Sequence, residues 1–230
     1  MSKQKIVVLS GAGVSADSGL KTFRDMGGLW EGYDVMEVAS PGGWQKNPEL
    51  VLGFYNERRR QLIDAKCNDG HLALAKLETK YDVTIITQNV DNLHEQAGST
   101  NIIHLHGILT KSQSTADPSL VYEINGTELN VGDKCEKGSQ LRPHIVWFGE
   151  MVPMMDEAIP ITEKADIFIV VGTSLEVYPA AGLINYVPEE ATKYVVDPKI
   201  PTGSSTYINT IFIEERAAVG VPKLVDKLLS

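Results

Sequence analysis

Three polar clusters in this chain carry residue types that do chemistry. Gln88, Asn89 and Asp91 stand together in Thr87-Gln88-Asn89-Val90-Asp91-Asn92-Leu93-His94, at the end of the apolar run Val83–Thr87. Two amides and a carboxylate at one strand terminus can orient a polar ligand, although Asp91 or Asn92 also suits the N-cap of a following helix. His104-Leu105-His106-Gly107 closes another apolar run. Alternation along a strand puts both imidazoles on one face. A metal reading lacks an evident third ligand, and His106 at the strand end suits a general base near neutral pH. The third cluster is Gly11-Ala12-Gly13-Val14-Ser15-Ala16-Asp17-Ser18-Gly19, directly behind Ile6-Val7-Val8-Leu9. It fits G-x-G-x-x-[G/A] and reads as strand, tight turn and helix start, where glycines and free N–H groups approach a pyrophosphate. The blander alternative is a turn that only closes a strand–helix corner.

These clusters need a scaffold that brings strand ends together. Apolar, β-rich runs occur at Ile6–Leu9, Val83–Thr87, Ile102–Leu105, Ile167–Val171, Tyr194–Val196 and Ile211–Ile213. Most are continuous rather than alternating, as expected for strands covered on both faces. Helix-like patterns lie between them at Leu72–Lys80, Asn92–Ala97 with Gly98 as C-cap, Ala180–Tyr186 and Pro222–Leu229. The alternation predicts an α/β fold with a Rossmann-like, doubly wound parallel sheet. Two insertions interrupt it: residues 25–70, with a strong helix over Pro48–Asp64, and the polar, turn-rich stretch 107–144. They predict a small module at about 25–70 and 107–144, beside a larger part at about 1–24, 71–106 and 145–230. Ligands in such sheets bind outside the carboxyl ends of strands. Gly11–Gly19, Gln88–Asp91, His106-Gly107 and Gly172-Thr173-Ser174 all stand there.

Composition narrows the function. The 230 residues carry a formal net charge of −9, against general nucleic-acid binding but not against a cationic peptide substrate. Apolar content of 43% fits a globular core. No run reaches a membrane span. The first strand begins within a few residues of Met1, so no targeting segment is expected. Cys67 and Cys135 make neither a disulfide framework nor a four-cysteine zinc site. A reducing, cytoplasmic setting is the expectation. A hydride-transfer enzyme would continue from its glycine turn into a second strand ending in an acidic residue. Asp34 stands near that distance, but no apolar strand leads to it, so the usual dehydrogenase layout is absent.

Gly-Ala-Gly-Val-Ser-Ala-Asp-Ser-Gly-Leu-Lys-Thr-Phe-Arg at 11–24, Thr-Gln-Asn-Val-Asp-Asn-Leu-His at 87–94, His-Gly at 106–107, Arg-Pro-His-Ile-Val-Trp-Phe-Gly-Glu at 142–150 and Gly-Thr-Ser at 172–174 resemble the sirtuin family in order along the whole chain. The resemblance implies an NAD-dependent protein lysine deacylase that consumes NAD, passing the acyl group to ADP-ribose with release of nicotinamide. His106 would be the general base, with Asn89 and Asp91 orienting the nicotinamide–ribose end. Gly11, Ala12, Gly13, Ser15, Asp17, Gln88, Val90, Gly172, Thr173 and Ser174 would contact NAD. Phe23 would cover the reactive sugar and limit water attack, and Arg24 and Trp30 would also contact NAD. Val146, Trp147, Phe148 and Gly149, with Glu176, Val177 and Tyr178, would sandwich an extended acyl-lysine peptide by strand addition. Ile145–Phe148 reads equally as a core strand.

Tyr55 and Arg58 share a face of the 48–64 helix. By resemblance they match the Tyr-x-x-Arg pair of sirtuins that take succinyl, malonyl or glutaryl lysine, where a guanidinium fork binds the acyl carboxylate. Arg59 and Arg60 read as a solvated helix end. The chain departs from the family in two places. Cys135 stands alone in 107–144, with Ser112 and Ser114 where cysteines are expected; hydroxyls are poor zinc ligands, which predicts no structural zinc. Val195-Val196-Asp197 replaces an Asn-x-acid run near adenosine, which leaves backbone contacts there. Ala217 matches a small residue near adenine. A mono-ADP-ribosyltransferase using the same site, and a non-catalytic ADP-ribose or NAD-binding module, are the competing readings.

Overall fold

The computed structural model describes residues 3–20, 32–199 and 208–230, with the backbone alone at 29–30. Phe23 and Arg24 lie outside the described residues, as does the side chain of Trp30.

The apolar runs become six parallel strands: β1 (Lys5–Ser10), β4 (Asp82–Thr87), β5 (Ile102–His104), β9 (Ile167–Val171), β10 (Thr192–Val196) and β11 (Thr210–Ile213). Their order is β11-β10-β9-β1-β4-β5. Counted along the chain, this is the 3-2-1-4-5-6 order of a doubly wound sheet, and it reverses between β1 and β9. Register is strict there: Ile6 pairs with Val83 on one side and Ile167 on the other. Successive side chains point to opposite faces. Ile6, Val8, Ile85 and Ile169 pack with α4 (Asp69–Lys76) and α7 (Ala217–Leu229). Val7, Leu9, Ile86 and Phe168 pack with α6 (Met155–Thr162) and the 3-10 turn Ala180–Tyr186. Burial of each such side chain contributes about 1.5–3 kcal/mol.

Between β1 and β4 lie the short pair β2 (Leu29–Trp30) and β3 (Tyr33–Asp34), then α1 (Val35–Val38), α2 (Pro41–Lys46) and α3 (Pro48–Asp64). Asp34 caps α1, accepting from Met36 N at 2.8 Å. Asn47 caps α3 and Pro48 occupies its first turn, as Pro without an N–H can. Val51, Tyr55, Arg58 and Leu62 recur at helical spacing on the buried face. α5 (Leu93–Gln96) follows β4 and is closed by Gly98 at φ +95.

Residues 107–144 form an antiparallel sheet in the order β7 (Val121–Glu123), β6 (Gly107–Ser114), β8 (Leu141–Ile145). Its outer end is tied by hydroxyls and one thiol: Ser114 Oγ lies 2.7 Å from Ser139 Oγ, and Cys135 Sγ lies 3.1 Å from the same atom. Ser112 is buried nearby in β6. Among the described residues no group of three or more His, Cys, Asp or Glu is placed to hold a metal. Its inner side is bolted to α3 by Arg59, which corrects the solvated-end expectation for that residue. Arg59 is 2% exposed; its Nε donates to Thr127 O at 2.8 Å and its Nη1 to Leu109 O at 3.3 Å. Burial lowers the Arg59 pKa to about 10, against the opposing pull of Glu128. Arg60 alone is solvated, pairing at the surface with Glu57 and Glu128.

Two further expectations change. The glycine turn leads not into an α-helix but into 3-10 turns at Ala12–Val14 and Ala16–Ser18. The last helix begins at Ala217, five residues before Pro222, which sits inside it. Among the described residues no helix is long and apolar enough to cross a membrane.

Candidate active site

A cleft of about 690 Å³ opens at the carboxyl ends of β1, β4 and β9. At its floor the β1 and β9 turns touch: Gly13 N donates to Gly172 O at 2.8 Å, and Gly11 N to Val171 O at 3.0 Å. Gly172 has φ +62, and a Cβ there would lie 2.3 Å from Val14 N. A Cβ on Gly13 would lie 2.7 Å from Gly172 Cα. The glycines therefore let two strand ends close on one another, and backbone lines the cleft beside Ala12, Thr173 and Ser174. Gln88 spans the same junction, its Nε2 donating to Thr173 Oγ1 at 3.2 Å.

Beside the floor lies a buried hydrogen-bonded network. Ser15 Oγ donates to Asp91 Oδ2 at 2.9 Å and accepts from Asn89 Nδ2 at 3.1 Å. Asp91 Oδ1 accepts from Leu93 N at 3.1 Å. Asp91 thus caps α5 and anchors the strand-end amide at once, so the capping and ligand readings coexist. Burial pushes its carboxyl pKa up, and the Leu93 and Ser15 hydrogen bonds oppose that. His71 completes the set. Its Nδ1 accepts from Asn68 N at 3.3 Å, so the neutral ring carries its proton on Nε2, 3.4 Å from Ser15 Oγ. Burial holds His71 down to about 4, and burial with neighbouring His71 and His104 holds His94 down to about 3. The two rings meet edge to face at 4.9 Å.

The two strand histidines part company. His106 lines the cleft, and its Nδ1 lies 2.9 Å from Gln88 O. A carbonyl only accepts, so Nδ1 carries the hydrogen and Nε2 is left as the base. Burial lowers its pKa, partly offset by that bond, so the neutral form prevails at neutral pH. His104 turns away from the cleft. It lies between two acceptors, Asn89 O at 3.2 Å and Glu95 Oε1 at 2.7 Å. β5 ends at His104, so strand alternation does not extend to His106.

The opposite wall comes from α3 and the segment after β8. Tyr55 is fully buried and Arg58 is 8% exposed, and both line the cleft. They belong to the lining shared with Ala39, Leu62, Leu109 and Ile145. Val146, Trp147, Phe148 and Gly149 run past them without strand structure, and Glu176, Val177 and Tyr178 face the cleft from the β9 side. Phe148 is 42% and Tyr178 73% exposed, which leaves an open rim. Asp17, Val90, Asp197 and Ala217 also line the cleft. Asp17 pairs with Arg216 at 2.8 Å. Val195 and Val196 do not line it: they are buried strand residues packed in the two cores. Sequence reasoning missed His71 and Arg142. Asn68-x-x-His71 is a capping-box spacing that would have flagged the first.

The Sir2 family model matches residues 11–179. The chain is 52% identical over 231 residues to a Bacteroides thetaiotaomicron protein named NAD-dependent protein deacylase, covering 98% of each. A Helicobacter pylori protein of the same name is 53% identical over 226 residues, again at 98% of each. A solved Sir2 homolog–NAD complex superposes with a TM-score of 0.88 at 38% identity, covering 99% of this chain and 91% of that one. A structure titled Sir2 bound to acetylated peptide gives 0.80 at 27% identity, covering 98% and 93%.

Proposed function

The chain belongs to the Sir2 family and is an NAD-dependent protein deacylase, and we propose that its site favours lysine acyl groups that end in a carboxylate. One observation carries that preference: the Arg58 guanidinium, 8% exposed, lines a largely apolar part of the cleft one helical turn from Tyr55. A guanidinium on the cleft lining matches the planar geometry of a carboxylate. An acyl carboxylate would be held there by the guanidinium fork and the phenol.

The cleft fits NAD. Its backbone-lined floor at the sheet's switch point accepts a pyrophosphate closely, since no side chain projects from Gly11, Gly13 or Gly172. We assign Gly11, Ala12, Gly13, Ser15, Asp17, Gln88, Val90, Gly172, Thr173, Ser174, Asp197 and Ala217 to holding it. Bound there, NAD supplies a ribose carbon bearing a leaving nicotinamide and the hydroxyls that receive the acyl group. His106 takes a proton at Nε2, and its neutral form is the one available at pH 7. Asn89 and Asp91 orient the ribose end, their own positions fixed through Ser15. Val146–Gly149 and Glu176–Tyr178 line the two sides along which the peptide main chain would run. Acylated protein or peptide is the substrate class.

The test is a panel of one peptide bearing acetyl-, malonyl-, succinyl- or glutaryl-lysine, with NAD, read as kcat/KM by mass spectrometry. The reading expects the acidic acyl groups to exceed acetyl at least tenfold. Equal rates across the panel would remove the preference.

A further inference from the structure

Arg142 in β8 is 9% exposed and makes a two-pronged contact: Nη1 donates to Glu150 Oε1 at 2.6 Å and Nη2 to Glu150 Oε2 at 3.0 Å. Nη2 also donates to Ile145 O at 2.7 Å. The same guanidinium lies over the Trp147 ring, 3.4 Å from its centre. Glu150 Oε2 accepts from Trp147 N at 2.8 Å. Both the backbone and the ring of Trp147 are therefore fixed by one ion pair. The far end of that ring reaches the acyl pocket, where Trp147 Nε1 donates to Tyr55 Oη at 3.0 Å.

The direction of this last bond matters. An indole N–H only donates, so the phenol oxygen accepts here and its single hydrogen points elsewhere. Burial raises the Tyr55 pKa, with the Trp147 bond opposing, so the phenol stays protonated. A buried ion pair adds little net stability against apolar residues of the same shape. What this one supplies is orientation.

We propose that Arg142 and Glu150 are positioning residues for the acyl pocket: their fork holds Trp147 so that its indole N–H turns the Tyr55 hydroxyl into a donor toward the acyl carboxylate. This rests on the reading that acyl groups ending in a carboxylate bind at Tyr55 and Arg58.

The test uses the full chain with NAD and one peptide carrying acetyl- or succinyl-lysine, with kcat and KM measured separately. Glu150→Gln keeps the shape and weakens the fork. It raises the ratio of succinyl KM to acetyl KM about tenfold, the worth of one oriented hydrogen bond. Trp147→Phe keeps a ring and deletes the N–H, and moves the ratio by a similar factor. The double variant moves it no further than Trp147→Phe alone, because both act through one bond. Equal KM changes for the two acyl groups, or effects that multiply in the double variant, overturn the proposal. If Glu150→Gln shows no cooperative melt, Trp147→Phe and Tyr55→Phe form the same cycle. A wild-type enzyme that does not favour succinyl-lysine removes the parent reading and this proposal together. A preference that depends on Arg58 but ignores Glu150 and Trp147 removes this proposal alone.

Discussion

Replacing Arg58 by Met gives the sharpest test of the acyl pocket. The side chain is 8% exposed on α3, so its contact with a carboxylate is little weakened by water or salt. A hydrogen bond to a charged group contributes about 1.5–3 kcal/mol. Removing one member of a desolvated pair costs about 2–5 kcal/mol, since the other is left unpaired. Taking about 3 kcal/mol at about 1.4 kcal/mol per decade, kcat/KM for succinyl-lysine falls about 100-fold. An acetyl group ends in a methyl and gains nothing from the guanidinium. Its kcat/KM stays within about threefold, as Met fills a similar apolar volume. Arg58→Lys, which keeps the charge but loses the fork, falls between. Paired assays on matched peptides at about 50 and 500 mM salt, each variant first checked by thermal melting, give the numbers. Equal losses on both peptides, or a succinyl effect that disappears at high salt, would refute the reasoning, because a solvated arginine is screened.

Three more outcomes follow from the same geometry. His106→Ala lowers formation of acylated ADP-ribose by about 10²–10⁴-fold; wild-type kcat/KM stays level from pH 8 down to the ordinary imidazole range and falls only below it, as burial has lowered the His106 pKa. Burial lowers the pKa of His71 to about 4 and that of His94 to about 3 in the folded chain. The unfolded chain takes up their protons first as pH drops below about 6.5, so stability is full above that value and falls towards pH 4 by a few kcal/mol. Urea unfolding at pH 7.5 and 5.0 measures this, and His71→Asn removes about half of the difference, His94 supplying the rest. Gly172→Ala places a Cβ 2.3 Å from Val14 N at φ +62, and melting shows a loss of about 2 kcal/mol or more.

Much of this was legible because the signals were local. Continuous apolar runs marked the six strands of the parallel sheet, and Pro48 marked the start of α3. Tyr55 and Arg58 were legible as a pair from their spacing. Arg59 shows the limit. Arg59 and Arg60 read as a solvated helix end, yet Arg59 follows Tyr55 by four residues and falls on the buried stripe, where carbonyls of 109 and 127 receive it. The Val195-Val196 pair was placed near adenosine by resemblance to a family motif, but burial in β10 decides its place. The Trp147–Tyr55 contact joins residues 92 apart, and no sequence window reports such a pair. The 3-10 turns after Gly11 likewise answer to the close packing of Gly13 on Gly172 rather than to local propensity.

The central claim is that this cleft consumes NAD to take an acyl group from lysine. The direct measurement incubates the full chain with NAD and a succinyl-lysine peptide and follows all products by mass spectrometry. Nicotinamide, free lysine peptide and succinyl-ADP-ribose forming in equal amounts, and only when peptide and NAD are both present, is the predicted result. ADP-ribose attached to the protein or peptide, or NAD bound with no release of nicotinamide, would contradict it.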